Sequence, residues 1–172
     1  RGALEVVPGP VPPELSEIAM KALSFRQADR YADAGELAEA IAAWLDGARK
    51  REKALEIVAE AEEKGQRIPG LLVEAERNEA EAQRLLDALP KDAVLEDHHP
   101  AWEREAAAAA ARAEAVQLEL EVLQGLRGAL THAPDLPEAH RGLAQRFHAA
   151  HMKAEVAGDQ AKARQVEMQL RA

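Results

Sequence analysis

Residues 12–47 read PPELSEIAMKALSFRQADRYADAGELAEAIAAWLDG. They predict two amphipathic helices joined by a charged corner. In the first helix Leu15, Ile18, Ala19, Ala22 and Leu23 recur at helical spacing. Pro12 and Pro13 mark its start, because the first turn of a helix needs no backbone donor there. In the second, Leu37, Ala40, Ile41, Trp44 and Leu45 make one apolar stripe. Asp33 is the expected N-cap, and Glu36 stands three residues on, where a capping box would place it. The connection, Phe25 to Tyr31, has no apolar period.

Outward from this stretch the chain keeps the same character. Its 172 residues suffice for one ordinary domain or two small ones. Alanine, leucine, glutamate and arginine dominate and aromatics make up 3%, the composition of long helices. Few β-branched runs exist to support a sheet. The expected fold is therefore all-α. The formal charge is −9 and no segment is net basic, which argues against a nucleic-acid partner, since that needs a concentrated positive footprint. No apolar run approaches the ~20 residues needed to span a bilayer, so no membrane role is expected, and the absence of cysteine fits a cytoplasmic protein without thiol chemistry.

Residues 1–11 are expected as an extended lead-in, given Pro8, Gly9 and Pro10. The stripe of the Trp44 helix continues in phase past Gly47 through Leu55 and Val58, predicting one helix from Gly35 to Lys64. Gly65 is expected to stop it and Pro69 to open another, ending before Pro90. Residues 90–100 read as a loop. A long helix from Ala101 to about His132 follows, with Trp102, Ala106, Ala109, Ala113, Val116, Leu120, Leu123 and Leu130 at heptad-like spacing and Leu118, Val122 and Leu126 widening the stripe. Two such helices and a short loop predict an antiparallel hairpin with coiled-coil-like packing. The tail predicts a helical pair: Leu143, Phe147 and Ala150 face one way on the first, Gly158-Asp159 turns, and Ala161, Val166 and Leu170 mark the second. The expected organisation is thus a helical pair over 1–47, a long hairpin over 48–131 and a second pair over 132–172.

The order and spacing of several elements resemble the C-terminal end of the eukaryotic-like serine/threonine protein kinases of bacteria. These are Pro13-Glu14-Leu15, Lys21-Ala22-Leu23, Arg30-Tyr31, Ala34-Gly35-Glu36-Leu37 and Trp44-Leu45. The family's usual Asp-Pro after Ala-Leu is replaced by Phe25-Arg26. The resemblance covers about a quarter of the chain and none of its residues is catalytic. It implies that Arg30 matches a buried arginine that pairs with a glutamate at the end of the activation segment, and that a parent protein would be a kinase using ATP and Mg. No glycine-rich loop, HRD-type or DFG-type aspartate is present here, so this segment is expected to be non-catalytic and to need no cofactor of its own. The run Ala129–Leu143, ALTHAPDLPEAHRGL, is similar to a tetratricopeptide junction, as a single unit without a 34-residue repeat.

On this reading the chain is a helical linker or interaction segment of a bacterial signalling kinase. It would position or regulate the kinase, or dock a protein partner, a neighbouring domain or a second copy. Trp44, Trp102 and Phe147 are the expected apolar anchors of core or interface. The alternative is a self-contained helical metal protein or enzyme. His148 and His151 lie one turn apart and Glu155 one turn further, but zinc wants three or four convergent ligands. His98-His99 adds a second histidine pair, in the expected loop. The acidic clusters around Glu60–Glu63 and Glu74–Glu79 read as solvated helix faces.

Overall fold

A computed structural model describes residues 11–171. Residues 1–10 of the expected 1–11 lead-in and the Leu170 side chain lie outside the described residues. The chain is all-α: α1 (Pro13–Ala22), α2 (Ala34–Asp87), α3 (His99–His132), α4 (Pro137–Val156) and α5 (Gln160–Arg171), with short 3-10 turns at Gln27–Asp29 and Leu95–His98. Two compact units divide it, one up to Glu52 and one from Lys53. The divide falls inside α2, which contributes to both.

In the first unit Pro13 occupies the first turn of α1. The Asp33 carboxylate accepts the backbone N–H of Glu36 at 3.0 Å, capping α2. The Glu36 carboxylate reaches back to the N–H of Ala32 at 2.8 Å, one residue further than a standard capping box. Lys21 sits 4.3 Å from the centre of the Tyr31 ring, tying the corner to α1. None of residues 11–52 is buried.

The second unit holds the core. Ala54, Val58 and Ala61 of α2 meet Val122, Leu126 and Ala129 of α3 and Leu136 and Ala139 at the start of α4. The α2–α3 pair is antiparallel: Lys64 bonds Glu121, Arg67 bonds Glu114 and Asn78 accepts from Arg104, so partners descend on α3 as they ascend on α2. Towards the turn of the hairpin the buried residues are nearly all alanine: Ala75 and Ala82 on α2, Ala101, Ala108, Ala111 and Ala115 on α3. Methyl side chains bury little area each but let the helices approach closely. Asn78 is the buried polar residue of this seam, with Arg104 Nη1 at 3.4 Å. The α4–α5 turn uses Gly158 at φ 71°, a left-handed conformation that favours glycine.

Three expectations need correction. Gly65 does not end a helix and Pro69 does not begin one; both lie inside the 54-residue α2. An isolated glycine costs only ~1 kcal/mol in a helix, and packing along α3 and α4 outweighs the bond lost at Pro69. On α3, Leu118, Val122 and Leu126 are buried as expected, but the heptad line drawn from Trp102 is in another phase. The buried line runs through Ala108, Ala111, Ala115, Leu118, Val122 and Leu126, while Trp102, Val116 and Leu120 are exposed. The alanine run offers no hydrophobic contrast to set the phase. Lastly, the tail does not stand apart from the hairpin, because Leu136 and Ala139 complete the same core.

Because Pro69 removes the bond to the Gly65 carbonyl from an exposed position, Pro69→Ala is expected to stabilise the second unit by about 1–2 kcal/mol, the helical gain less the entropy returned to the unfolded chain. Urea unfolding followed by circular dichroism measures it; an unchanged or lower midpoint would show that the packing requires the proline.

Candidate interaction surface

Where α2, α3 and α4 come together, a groove of about 340 Å³ opens to solvent. Ile68 and Leu72 of α2, Ala115 and Val116 of α3, and Ala149 and Ala150 of α4 line it, with Glu119, Arg146 and Lys153 as its charged members. An ion pair crosses beside it. Arg146 of α4 pairs with Glu119 of α3, and both are only partly exposed. The same guanidinium passes over α2 at Gly65, where a Cβ would lie 2.0 Å from Nη2. The guanidinium occupies space that a side chain at Gly65 would take. On the core side Leu126 touches the backbone of Gly142, whose Cβ would fall 3.0 Å from Leu126 Cδ1.

Ion pairs flank the hairpin. Lys64 lies between Glu60 at 3.2 Å and Glu121 at 3.1 Å, and Arg67 bonds Glu114 at 2.6 Å. Arg112 bonds Glu79 at 2.5 Å. The bonds from Lys64 to Glu121 and then to Glu60 raise the ammonium above its usual 10.5. The bonds from Gln117 and Lys64 hold the Glu121 carboxyl below its usual 4.5. The signs follow from linkage. The Lys64 contribution is complete below pH 10.5 and is lost as pH rises through its raised value. The Glu121 contribution is complete above pH 4.5 and is lost as pH falls through its lowered value. Glu121→Gln is therefore expected to flatten the loss of stability on acidification below pH 4.5 and to lower stability at neutral pH. Urea midpoints at several pH values read both, and parallel profiles for the two proteins would refute the assignment.

The residues singled out in the sequence scatter over the two units. Arg30 is exposed in the first; its Nε donates to the Ser24 carbonyl at 2.7 Å and Nη2 to that of Phe25 at 3.5 Å. It thereby satisfies carbonyls just past the end of α1, where a cation is favoured. Trp44 is half-buried. A separate apolar groove of about 290 Å³ lies between α1 and the start of α2, lined by Leu15, Ile18, Ala19, Ala22, Leu23, Leu37 and Ile41.

In the second unit Phe147 is 8% exposed, with the Arg127 guanidinium 5.8 Å from its ring centre. Trp102 is 40% exposed; His98 stacks on it at 5.7 Å and His99 lies tilted at 5.5 Å. His148 is exposed. His151 has its Nδ1 3.2 Å from the Ala163 carbonyl and its Nε2 3.4 Å from Glu155. A carbonyl only accepts, so Nδ1 carries the proton, and Nε2 pairs with Glu155 when the ring is an imidazolium. This leaves Nε2 and Glu155 as the only convergent pair of the His148–His151–Glu155 set. Among the described residues no three histidine, aspartate or glutamate side chains come together as a metal cage.

The groove of the second unit escaped the sequence reading. Heptad spacing puts Val116 on the hairpin seam, and Gly65 carries its meaning only through Arg146, far away in the chain. Among the described residues no helix is long and apolar enough to cross a membrane. No family model, characterised protein or solved structure matches the chain.

Proposed function

We propose that the chain is the closing part of a bacterial serine/threonine protein kinase domain followed by a helical extension, working in cytoplasmic signalling. The extension is non-catalytic. It positions or regulates the kinase, or docks a protein partner, through apolar helix faces. The carrying observation is the first unit: a helix, a charged corner and a capped second helix fall on the spacing of Pro13-Glu14-Leu15, Arg30-Tyr31 and Glu36-Leu37, yet none of residues 11–52 is buried. Apolar faces that are at most half-buried offset little of the entropy of ordering them, and a preceding kinase lobe is the cover that this reading supplies. ATP and Mg belong to that lobe. The turn into α4, where Leu136 and Ala139 are buried and His140 Nε2 bonds the Pro134 carbonyl at 2.7 Å, supports one tetratricopeptide-like junction in the extension.

The test is the coding sequence upstream of Arg1. HRD-type and DFG-type motifs are expected there; a reading frame without them overturns the kinase origin. In the longer protein Arg30→Ala is expected to cost about 3–5 kcal/mol by orphaning a buried carboxylate, whereas the exposed Arg30 of the present chain predicts a small effect, within about 0.5 kcal/mol. The metal-protein alternative has less support: His148 faces solvent, and among the described residues no third ligand joins His151 and Glu155.

A further inference from the structure

We propose that the groove between α2, α3 and α4 is a docking site for a single amphipathic α-helix that carries a carboxylate beside its apolar face. The site lies wholly within residues 53–172 and does not depend on a kinase origin. Its floor is made of methyl groups, Ala115 from α3 with Ala149 and Ala150 from α4, which let another backbone come close. Its walls are Leu72, one helical turn beyond Ile68 on α2, and Val116, which is 62% exposed. Anchors one turn apart on a helix read apolar residues at the same spacing on a partner.

The backbone of the occupant decides its conformation. An extended peptide would press unpaired N–H and C=O groups onto methyl groups, and the described residues contain no strand whose edge could satisfy them. A helix satisfies its own. Charge decides the rest. Glu119 and Arg146 already neutralise each other. Lys153, exposed on the α4 lip, has no acidic partner among the described residues. Among the described residues the groove therefore presents an ammonium without an acidic partner beside an apolar channel, on a chain whose formal charge is −9. A second copy would bring a second −9 surface against the first. A short helix brings one carboxylate to the ammonium without that repulsion.

The test uses the full chain and a display library of helix-forming peptides as the probe. Selected peptides are expected to share apolar residues three or four apart and an Asp or Glu flanking them. Their binding is expected to fall at least about tenfold with Val116→Glu, a change at an exposed position that leaves the core intact. Lys153→Glu is expected to weaken the same peptides and to restore binding when the peptide carboxylate is exchanged for lysine. Three results would overturn the proposal: no enrichment, enriched peptides indifferent to both variants, or a dimer in sedimentation that Val116→Glu dissolves, which would make a second copy the occupant.

Discussion

Replacing Leu126 by alanine is expected to destabilise the second unit by about 2–5 kcal/mol. Leu126 is 2% exposed and stands where all three core helices meet, beside Val58 and Ala61 of α2 and Ala139 of α4. Few large side chains share the load: only Leu126, Leu136 and Val122 are fully buried and sizeable among the described residues. Losing one removes a large share of the apolar area that holds α4 to the hairpin. Gly142 supplies an internal check. Its Cβ would lie 3.0 and 3.1 Å from the two Leu126 methyls, so Gly142→Ala alone is expected to cost about 1–3 kcal/mol by overpacking. In the Leu126→Ala background the added methyl enters the vacated space. The double variant is then expected to be no less stable than Leu126→Ala, a coupling that a double-mutant cycle measures. Urea unfolding followed by Trp102 emission in a Trp44→Phe background reports on the second unit. Simple additivity of the two losses would show that Leu126 and Gly142 do not meet.

Ala108→Leu is expected to cost about 3 kcal/mol or more, whereas Ala109→Leu is expected to change stability by less than about 0.5 kcal/mol. Ala108 is 1% exposed in the hairpin seam, and Ala109 beside it faces solvent. The bonds from Arg104 to Asn78 and from Arg112 to Glu79 bracket this level of α3 and hold it against α2 around Ala75 and Ala82. Three added carbons at Ala108 must push the helices apart there, breaking contacts along the whole alanine row. The pair also decides between two phases of the same helix. Heptad spacing from Trp102 places Ala109 on the seam; the structure places Ala108 there. A large loss at Ala109 with none at Ala108 would reverse that assignment.

The helices themselves were legible because their determinants are local. Asp33 caps α2 at the position its sequence marks, Pro13 opens α1, Pro137 opens α4, and Gly158 turns the chain. The same local signals misled at Gly65 and Pro69, where a break was expected and α2 continues. Their effect is a local cost, and contacts from residues distant in sequence offset it. Arg146 lies over Gly65, and Glu121 and Glu114 hold Lys64 and Arg67 on either side.

By itself, then, the sequence determined that this chain is helical and where most helices begin and turn. Tertiary structure decided which face of α3 is inside, because a run from Ala106 to Ala111 is equally apolar all round and only the partner helix breaks that symmetry. It also decided the groove at Ile68, Leu72 and Val116, since a concave surface exists only once α4 packs against α2 and α3. Periodicity reports how one helix divides its own surface. Which part of that surface is covered depends on packing energies summed over residues that the chain brings together only when it folds.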